Sequence, residues 1–231
     1  MILQQTRPVQ GGLRQQRQFE LIANHIANIS TAGFKGDILA FDQALKATQV
    51  VDFQQGSIKS TGNNLDVAIS GKGFFKIQTP AGIRYTRDGN FTVNSDNQLV
   101  TQNGELVQGD GGPITLQGAG AETSDNIHIG ETGEISVDGA AIGRLDVVDF
   151  DDLKKLRKDR SSFFIYQGPA GDEQPAQQYA VQQGALEGAN ISPAVEMTKM
   201  IEVHRLYEAY QKMIQTFDEI DSKAVLEVGK L

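Results

Sequence analysis

Three acidic residues in the middle of the sequence, Asp66, Asp88 and Glu105, could take part in catalysis. Two carboxylates at the right separation cleave a glycosidic bond, one as general acid and the other as nucleophile or base. Positions in the sequence do not show which two of the three side chains face each other. A glycosidase on a β-rich scaffold is therefore one hypothesis, which loss of turnover on mutating Asp66 or Asp88 would support.

The other candidates for chemistry lack the spacing that metal or phosphate binding requires. His25, His128 and His204 form no close pair, so each is interpreted as a surface or interface residue. The acidic residues within 149–152 do not follow the pattern of a calcium loop, and Gly71-Lys72-Gly73 is only a fragment of a phosphate-binding loop. With no cysteine in the chain, disulfides and thiol catalysis are excluded. We expect no enzyme activity, no metal and no cofactor.

Composition argues against two further classes of function. The 231 residues carry a net charge of −8, which does not suit a protein that binds nucleic acid or an anionic membrane. The basic run from Lys154 to Arg160 is interpreted as a solvated surface or a contact with another subunit. No stretch is long enough to span a bilayer, and the first residues lack the apolar core of a cleavable signal. We expect no membrane insertion, and any export would use a route other than Sec.

An amphipathic helix is predicted from about Leu13 to Ile29, because apolar residues recur there at spacings of three and four. Its apolar stripe is Phe19, Ile22, Ile26 and Ile29. Pro8 and the pair Gly11-Gly12 are expected to interrupt any extension of this helix toward the start of the chain. Gly33 is expected to close the helix end in the left-handed conformation.

Short β-type runs replace the helical period between about residues 64 and 166. Each run is bounded by Gly, Asn, Asp or Pro, and three of the breaks are dipeptides typical of tight hairpin turns. These are Asp88-Gly89, Asn103-Gly104 and Asp138-Gly139. Strands so close together in sequence predict an antiparallel, all-β domain.

A second, longer helix is predicted to begin at Ser192-Pro193, where a serine N-cap precedes a proline that needs no amide partner. Its apolar stripe continues at alternating spacings of three and four as Met200, Val203, Tyr207, Tyr210, Ile214, Phe217, Ala224 and Val228, and is widened by Leu206, Met213 and Ile220. A helix from Pro193 to Val228 would be roughly 50 Å long. The period is the one that left-handed coiled coils use.

The predicted fold class is α+β, with N- and C-terminal helices pairing as a coiled coil and a central antiparallel all-β domain inserted between them. Residues 1–35 and 181–231 are the two helical assembly segments, residues 36–63 a connection and residues 64–180 the β domain. The early helix is shorter than the late one, so pairing within one chain leaves part of the late stripe uncovered and requires other subunits. The alternative is that the late helix packs on the β domain of its own chain.

Three blocks of the sequence resemble flagellar rod and hook proteins. The first, residues 22–35, resembles the signature A-N-N-x-A-N-x-x-T-x-G-F-[KR]. The second covers residues 61–75 and 85–91, and the third covers 183–187 and positions between 196 and 208. The sequence departs from the family where His25 replaces the usual second Asn, where Ala189 replaces a common Ser, and where Pro8 and Gly11-Gly12 lie in a normally helical region.

The resemblance implies a structural subunit of the bacterial flagellar basal-body rod, whose terminal helices form the inner layer of a hollow axial structure. The short connection from Lys35 to Gly56 is similar to that of the proximal rod type. Implied partners are other rod proteins, copies of the same chain and the flagellar type III export apparatus. The residues expected at the assembly interface are Phe19, Ile22, Asn24, Ile26, Asn28, Thr31, Gly33, Phe34, Met200, Val203, Tyr207, Tyr210, Ile214 and Phe217.

Two alternatives to a proximal rod subunit stay open beside the glycosidase. One is a distal rod or hook-type axial protein, which the order of co-assembly from purified components would distinguish. The other belongs to a different class: a carbohydrate-binding β domain that oligomerises through a coiled coil. A soluble dimer or trimer with a saturable ligand would support that alternative.

Overall fold

The computed structural model describes residues 2–41, 47–116, 126–160, 162–169 and 171–228. The chain divides into two units. The helical unit consists of both chain ends, residues 1–27 and 191–231, and the β unit consists of residues 28–190. Both chain ends therefore belong to one unit, although more than 160 residues lie between them in sequence.

Helix α1 spans Ile2–Ala27 and runs through Pro8, Gly11 and Gly12 without a break. The prediction that these residues interrupt the helix was wrong. A Cβ added at Gly11 would lie 2.5 Å from Cε1 of Tyr210, so the tyrosine ring packs directly on the glycine backbone. Tertiary packing thus offsets the roughly 1 kcal/mol by which a glycine weakens a helix relative to alanine.

Helix α2 spans Pro193–Val228, as the Ser192-Pro193 start signal predicted. Two of the contacts between the helices are far apart along their axes. Gly11 lies against Tyr210, and Nδ1 of His25 lies 2.9 Å from Oε2 of Glu196. Because the residue number rises on α1 while it falls on α2, the helices are antiparallel.

The β unit contains short strands that are all paired antiparallel, as predicted from the turn spacing. The strands are β1 (Asp37–Phe41), β2 (Ala47–Val51), β3 (Ile58–Ser60), β4 (Val67–Gly71), β5 (Phe74–Thr79), β6 (Gly82–Thr86), β7 (Phe91–Val93), β8 (Leu99–Thr101), β9 (Leu106–Gly109), β10 (Gly112–Pro113), β11 (Ile127–Ile129), β12 (Glu134–Val137), β13 (Ala140–Arg144), β14 (Val147–Phe150), β15 (Leu156–Lys158), β16 (Phe163–Tyr166), β17 (Glu173–Pro175), β18 (Tyr179–Gln183) and β19 (Ala185–Glu187). The largest sheet has the strand order β15-β16-β6-β5-β9-β8-β7. Smaller sheets pair β1 with β2, β3 with β19, β4 with β18, and β11 and β13 with β12.

Strand β5 is buried on both of its faces and divides the apolar core into two clusters. Phe75 and Ile77 belong to the larger cluster, whereas the neighbouring Phe74 belongs to a smaller, aromatic one. Successive side chains of a strand point to opposite faces, so one strand contributes to both clusters. Apolar clusters of the core therefore lie on both faces of the large sheet.

Strands β3 and β19 bring the first and last segments of the β unit together. Ile58 is opposite Glu187 and Ser60 is opposite Ala185 in this antiparallel pair. The residues that precede β3 therefore lie beside those that follow β19, and the amide of Gly33 donates to the carbonyl of Glu187, which brings the segment before β1 to the same place. This pairing positions the site described next.

Candidate functional site

The segment that follows α1 packs backbone to backbone on the turn between β6 and β7. Gly33 has a φ of 65°, and a Cβ at this position would lie 2.3 Å from the backbone nitrogen of Asp88. The amide of Gly33 donates a hydrogen bond to the carbonyl of Glu187 at 2.7 Å. Only glycine fits both the left-handed conformation and this close approach. Gly33 is left-handed as predicted, although α1 already ends at Ala27.

A buried cluster of three charged side chains lies beside Gly33. Lys35 is 1% exposed and Glu187 is fully buried, with 2.6 Å between the Lys35 Nζ and the Glu187 Oε1. Nη1 of Arg87 donates to the other carboxylate oxygen at 3.1 Å. Burial lowers the pKa of Lys35 and of Arg87, and the carboxylate of Glu187 opposes that shift in both. We call Lys35, Arg87 and Glu187 the junction cluster.

Further hydrogen bonds satisfy most of the remaining polar atoms of the junction cluster, whereas Nε of Arg87 is buried without a hydrogen-bond partner among the described residues. Nζ of Lys35 also donates to the carbonyl of Gln54 at 2.7 Å, and the amide of Gly56 donates to Oε1 of Glu187 at 2.8 Å. Arg87 donates to the carbonyls of Ile69 and Gly71 on strand β4. A buried ion pair is tolerated when its charges are hydrogen-bonded in this way, and removing one partner is then costly.

Asn190 links the segment that follows β19, here called the exit segment, to the segment that precedes β1, here called the entry segment. Its side-chain oxygen accepts from the amide of Gly36 at 2.7 Å, and its Nδ2 donates to the carbonyl of Asp52 at 2.8 Å. The backbone amide of Asn190 donates to the carbonyl of Phe34. The entry and exit segments are thus linked by side chains and by main chain, and both continue in sequence into a terminal helix.

Phe34 is an internal packing residue of the β unit. Its side chain is buried, and Nζ of Lys158 lies 4.2 Å from the centre of its ring. Lys158 also binds Asp37 at 2.8 Å, so the aromatic ring and the carboxylate hold the same ammonium group. Phe34 therefore contributes to stability within one chain.

The basic run of the sequence does not form a concentrated positive patch. Lys155 binds Asp172, Lys158 binds Asp37, and Arg160 binds Glu105 at distances between 2.8 and 3.2 Å. These acidic partners come from other parts of the β unit. The fold therefore places a negative charge beside each of these three basic side chains.

The three acidic residues considered for catalysis are bonded within the β unit. Asp66 accepts a hydrogen bond from Asn63, the carboxylate of Asp88 accepts from the amide of Asn90, and Glu105 accepts from Thr101 and Arg160.

In the described part of the chain, no group of three or more metal-binding side chains is present. Among the described helices, none is both long and apolar enough to cross a bilayer.

We expect Asp88→Asn to stabilise the protein above pH 6 and to have little effect near pH 4. Burial, and to a lesser extent the charge of Asp66, raise the pKa of Asp88 from 3.8 to about 6 in the folded chain. Because the folded state then binds the proton more tightly than the unfolded state, stability falls as the pH rises from about 4 to 6. Asparagine keeps the oxygen that accepts from Asn90 but carries no charge.

The expected gain for Asp88→Asn is at most about 2 kcal/mol at pH 7.5. Urea unfolding of both chains at pH 4 and pH 7.5 measures it. A difference that is the same at the two pH values would show that the carboxylate charge is not the cause.

The sequence-predicted interface residues differ in burial. Ile22 and Val203 are buried in the helical unit, and Gly33 and Phe34 are buried in the β unit. The others are partly buried, namely Ile26, Asn28, Thr31, Met200, Tyr207, Tyr210, Ile214 and Phe217, or exposed, namely Phe19 and Asn24. The side chains of Ala224 and Val228 lie outside the described residues. Sequence reasoning missed Lys35, Arg87, Glu187 and Asn190 as members of the site in the β unit, and it missed the pairing of His25 with Glu196 in the helical unit.

A row of large apolar side chains on α2 remains exposed. Leu206, Met213 and Ile220 are 49%, 45% and 55% exposed, and they recur every seven residues. Seven residues are close to two helical turns, so the three side chains lie on one face. We call Leu206, Met213 and Ile220 the outer row.

The fold and the site define a structural protein that is built to join other subunits. A β-rich unit has its two ends fastened together, and the paired terminal helices leave an apolar row in solvent. Large exposed apolar rows of this kind mark interaction surfaces.

Comparison with known proteins gives the same class. A model described as the flagellar hook protein FlgE/F/G D1 domain matches residues 68–137, and one described as the flagellar basal body rod FlgEFG protein C-terminal matches residues 182–226. The chain is 35% identical to a flagellar basal-body rod protein FlgF of Caulobacter vibrioides over 94% of each chain. It is 32% identical to FlgF of Rhizobium meliloti, covering 93% of this chain and 92% of the relative. A FlgG rod protein of Buchnera aphidicola is 30% identical, with 90% and 93% covered.

The chain belongs to the flagellar rod and hook protein family and, within it, is of the FlgF type. It is a structural subunit of the flagellar basal body and not an enzyme, as the sequence predicted. The three sequence blocks that resemble the family meet at the junction cluster: Lys35 comes from the first block, Arg87 from the second and Glu187 from the third.

Proposed function

We propose that this subunit takes its place in the proximal rod by pairing α1 with α2 as a coiled coil and by covering the outer row with helices of neighbouring axial subunits. The neighbours are copies of this chain and other rod proteins, and together they form a hollow tube that transmits torque. The assembly segments are residues 1–35 and 181–231, and the body that they carry is formed by the residues between them.

The exposed outer row is the observation that carries this proposal. Leu206 lies between Glu196 and Tyr210, which both contact α1, so it is exposed because of the face that it occupies and not because α2 is longer than α1. Burying an apolar side chain the size of leucine or methionine contributes about 1.5–3 kcal/mol. Three such side chains that stay exposed in one chain favour a partner that covers them.

The junction cluster is proposed to carry load between the helices and the β unit. The two segments that connect the units in sequence are a covalent path for torque applied to a subunit in a tube. Hydrogen bonds from Asn190 and the buried charges of the junction cluster tie these two segments together, so they resist separation as a pair. The proposal gives a mechanical role to residues that perform no reaction.

Export through the flagellar type III apparatus is part of the same proposal. A chain that passes unfolded through a narrow channel must fold afterwards. The helical unit, with its outer row still exposed, would gain its full stability only on assembly, when contacts between subunits offset the ordering entropy. Retention of the chain inside cells that lack the export gate would support this route.

Met213→Glu tests the assembly interface, with Gln215→Glu as the matched control. Both residues are exposed on α2, but Met213 belongs to the outer row whereas Gln215 lies on another face. We expect Met213→Glu to prevent incorporation into purified basal bodies and to abolish swimming in soft agar, because it would bury a charge against apolar helices. Gln215→Glu is expected to assemble. Normal assembly of Met213→Glu would refute the outer row as an interface.

A further inference from the structure

The face that α1 turns toward α2 is small or polar along most of its length. Gly11, Gln15, Gln18, Ile22 and His25 recur at spacings of four and three, and each is buried or partly buried. The opposing stripe of α2, which includes Val203, Tyr207 and Tyr210, is apolar or aromatic. A stripe that repeats every seven residues would accept α1 in more than one register, because a shift by one heptad presents it with similar side chains.

Two contacts fix the register that the structure shows. Gly11 faces Tyr210 and His25 faces Glu196, and the two pairs are separated by 14 residues on each helix. Two whole heptads on both helices mean that the contacts belong to one uninterrupted antiparallel alignment. A shift by seven residues would place His25 opposite Val203 and would replace Gly11 by Gln18 opposite Tyr210.

The His25–Glu196 contact is a buried pair in which both carboxylate oxygens accept hydrogen bonds. His25 is 5% exposed and Glu196 is 3% exposed. One oxygen of Glu196 accepts from His25 at 2.9 Å, and the other accepts from Nζ of Lys199 at 2.8 Å. Burial alone would raise the pKa of Glu196, but the hydrogen bonds from Lys199 and His25 outweigh it and leave the pKa below its usual value. In a shifted register this carboxylate would lose His25 as a partner.

The Gly11–Tyr210 contact acts by shape. The tyrosine ring occupies the space in which any other residue would have its Cβ. In the shifted register Gln18 would stand in that position, and the Tyr210 ring would have to move away from its place on α1. Shape and hydrogen bonding therefore discriminate against the same wrong alignment, at two points about 20 Å apart on the helix.

We propose that the His25–Glu196 pair, supported by the Gly11–Tyr210 contact, is a specificity determinant that sets the register of α1 on the α2 of its own chain. A register shifted by one heptad leaves Glu196 without His25, and a buried carboxylate that loses its partner disfavours that register. The inference rests on pairing within one chain and does not require the assembly proposed above.

Engineered disulfides can report the register, because the chain has no cysteine of its own. Gln15→Cys combined with Tyr207→Cys reports the observed register, and Gln15→Cys combined with Ile214→Cys reports the register shifted by one heptad. Each pair is made in the parent chain and in a chain that also carries His25→Leu and Glu196→Leu. The full-length chains are oxidised in dilute solution, and intramolecular disulfides are quantified on non-reducing gels and by peptide mass spectrometry.

In the parent chain we expect the observed-register disulfide to exceed the shifted one by on the order of tenfold or more. In the leucine variant the ratio is expected to fall several-fold while the helix content by circular dichroism is kept. Exchanging the two side chains, as His25→Glu with Glu196→His, is expected to restore much of the ratio.

An unchanged ratio in the leucine variant would overturn the proposal, and so would a parent chain that forms no observed-register disulfide. The failure of the proposed function is distinguishable from both outcomes. A chain with the expected disulfide ratios that never enters basal bodies would contradict the assembly and leave the register determinant intact.

Discussion

Glu187→Gln is expected to destabilise the β unit by about 3–5 kcal/mol, because it leaves two buried cations without a counter-charge. Glutamine would also point an amide donor at Lys35 or Arg87, both of which can only donate. For a unit of this size the loss corresponds to a fall in Tm on the order of 10 °C. Differential scanning calorimetry of the full chain at pH 7 measures it.

Lys35→Met is the informative companion to Glu187→Gln. Methionine removes one of the two cations and leaves Arg87 and Glu187 as a one-to-one pair, with the 3.1 Å hydrogen bond intact. We therefore expect Lys35→Met to lower Tm less than Glu187→Gln, although it removes the shorter of the two contacts. If Lys35→Met proved equally or more destabilising, the balance of charges would not be what governs the junction cluster.

The parts of the fold that depend on neighbouring residues in the sequence could be predicted. The start of α2 at Pro193 follows from a capping serine and a proline at the first helical position, which act locally. The antiparallel strands follow from short β-type runs between turn residues; Asp138, for example, has the positive φ that its Asp-Gly turn requires. Both signals depend on neighbours in sequence and need no knowledge of tertiary contacts.

The continuity of α1 through Gly11 could not be predicted, because its cause lies almost two hundred residues away. Glycine weakens a helix in isolation, and the ring of Tyr210 that compensates for it is on the other helix. The same limit applies to the burial of Phe34, whereas its place at an interface with neighbouring subunits stays a prediction. Its burial beside Lys158 depends on a strand that the local pattern does not connect with it.

The junction cluster also could not be predicted from spacing. Lys35 and Glu187 are 152 residues apart, and Arg87 and Glu187 are 100 apart. The three blocks that resemble the family could have indicated the junction cluster, because each block contributes one of its charged side chains. Blocks that are distant in sequence and carry opposite charges are candidates for a buried cluster where the chain segments meet.

Gly33→Ala is expected to destabilise the β unit by about 3 kcal/mol or more, for two reasons that add. The residue has a φ of 65°, and the new methyl group would lie 2.3 Å from the nitrogen of Asp88 and 2.4 Å from the carbonyl carbon of Arg87. Both atoms belong to the backbone, so no side chain can rotate away to make room. Calorimetry and hydrogen exchange in strands β3, β4 and β19 measure the effect.

Gly62→Ala separates the two causes, since Gly62 has a φ of 75° and no atom within 4 Å of the added Cβ. It should cost only the backbone strain, about 1–2 kcal/mol. The difference between the two variants is then the cost of moving the entry segment off the Arg87–Asp88 turn, which would also displace Lys35 from Glu187. If both glycines cost the same while Gly33→Ala alone is excluded from basal bodies, Gly33 would serve contacts with neighbouring subunits instead of this packing.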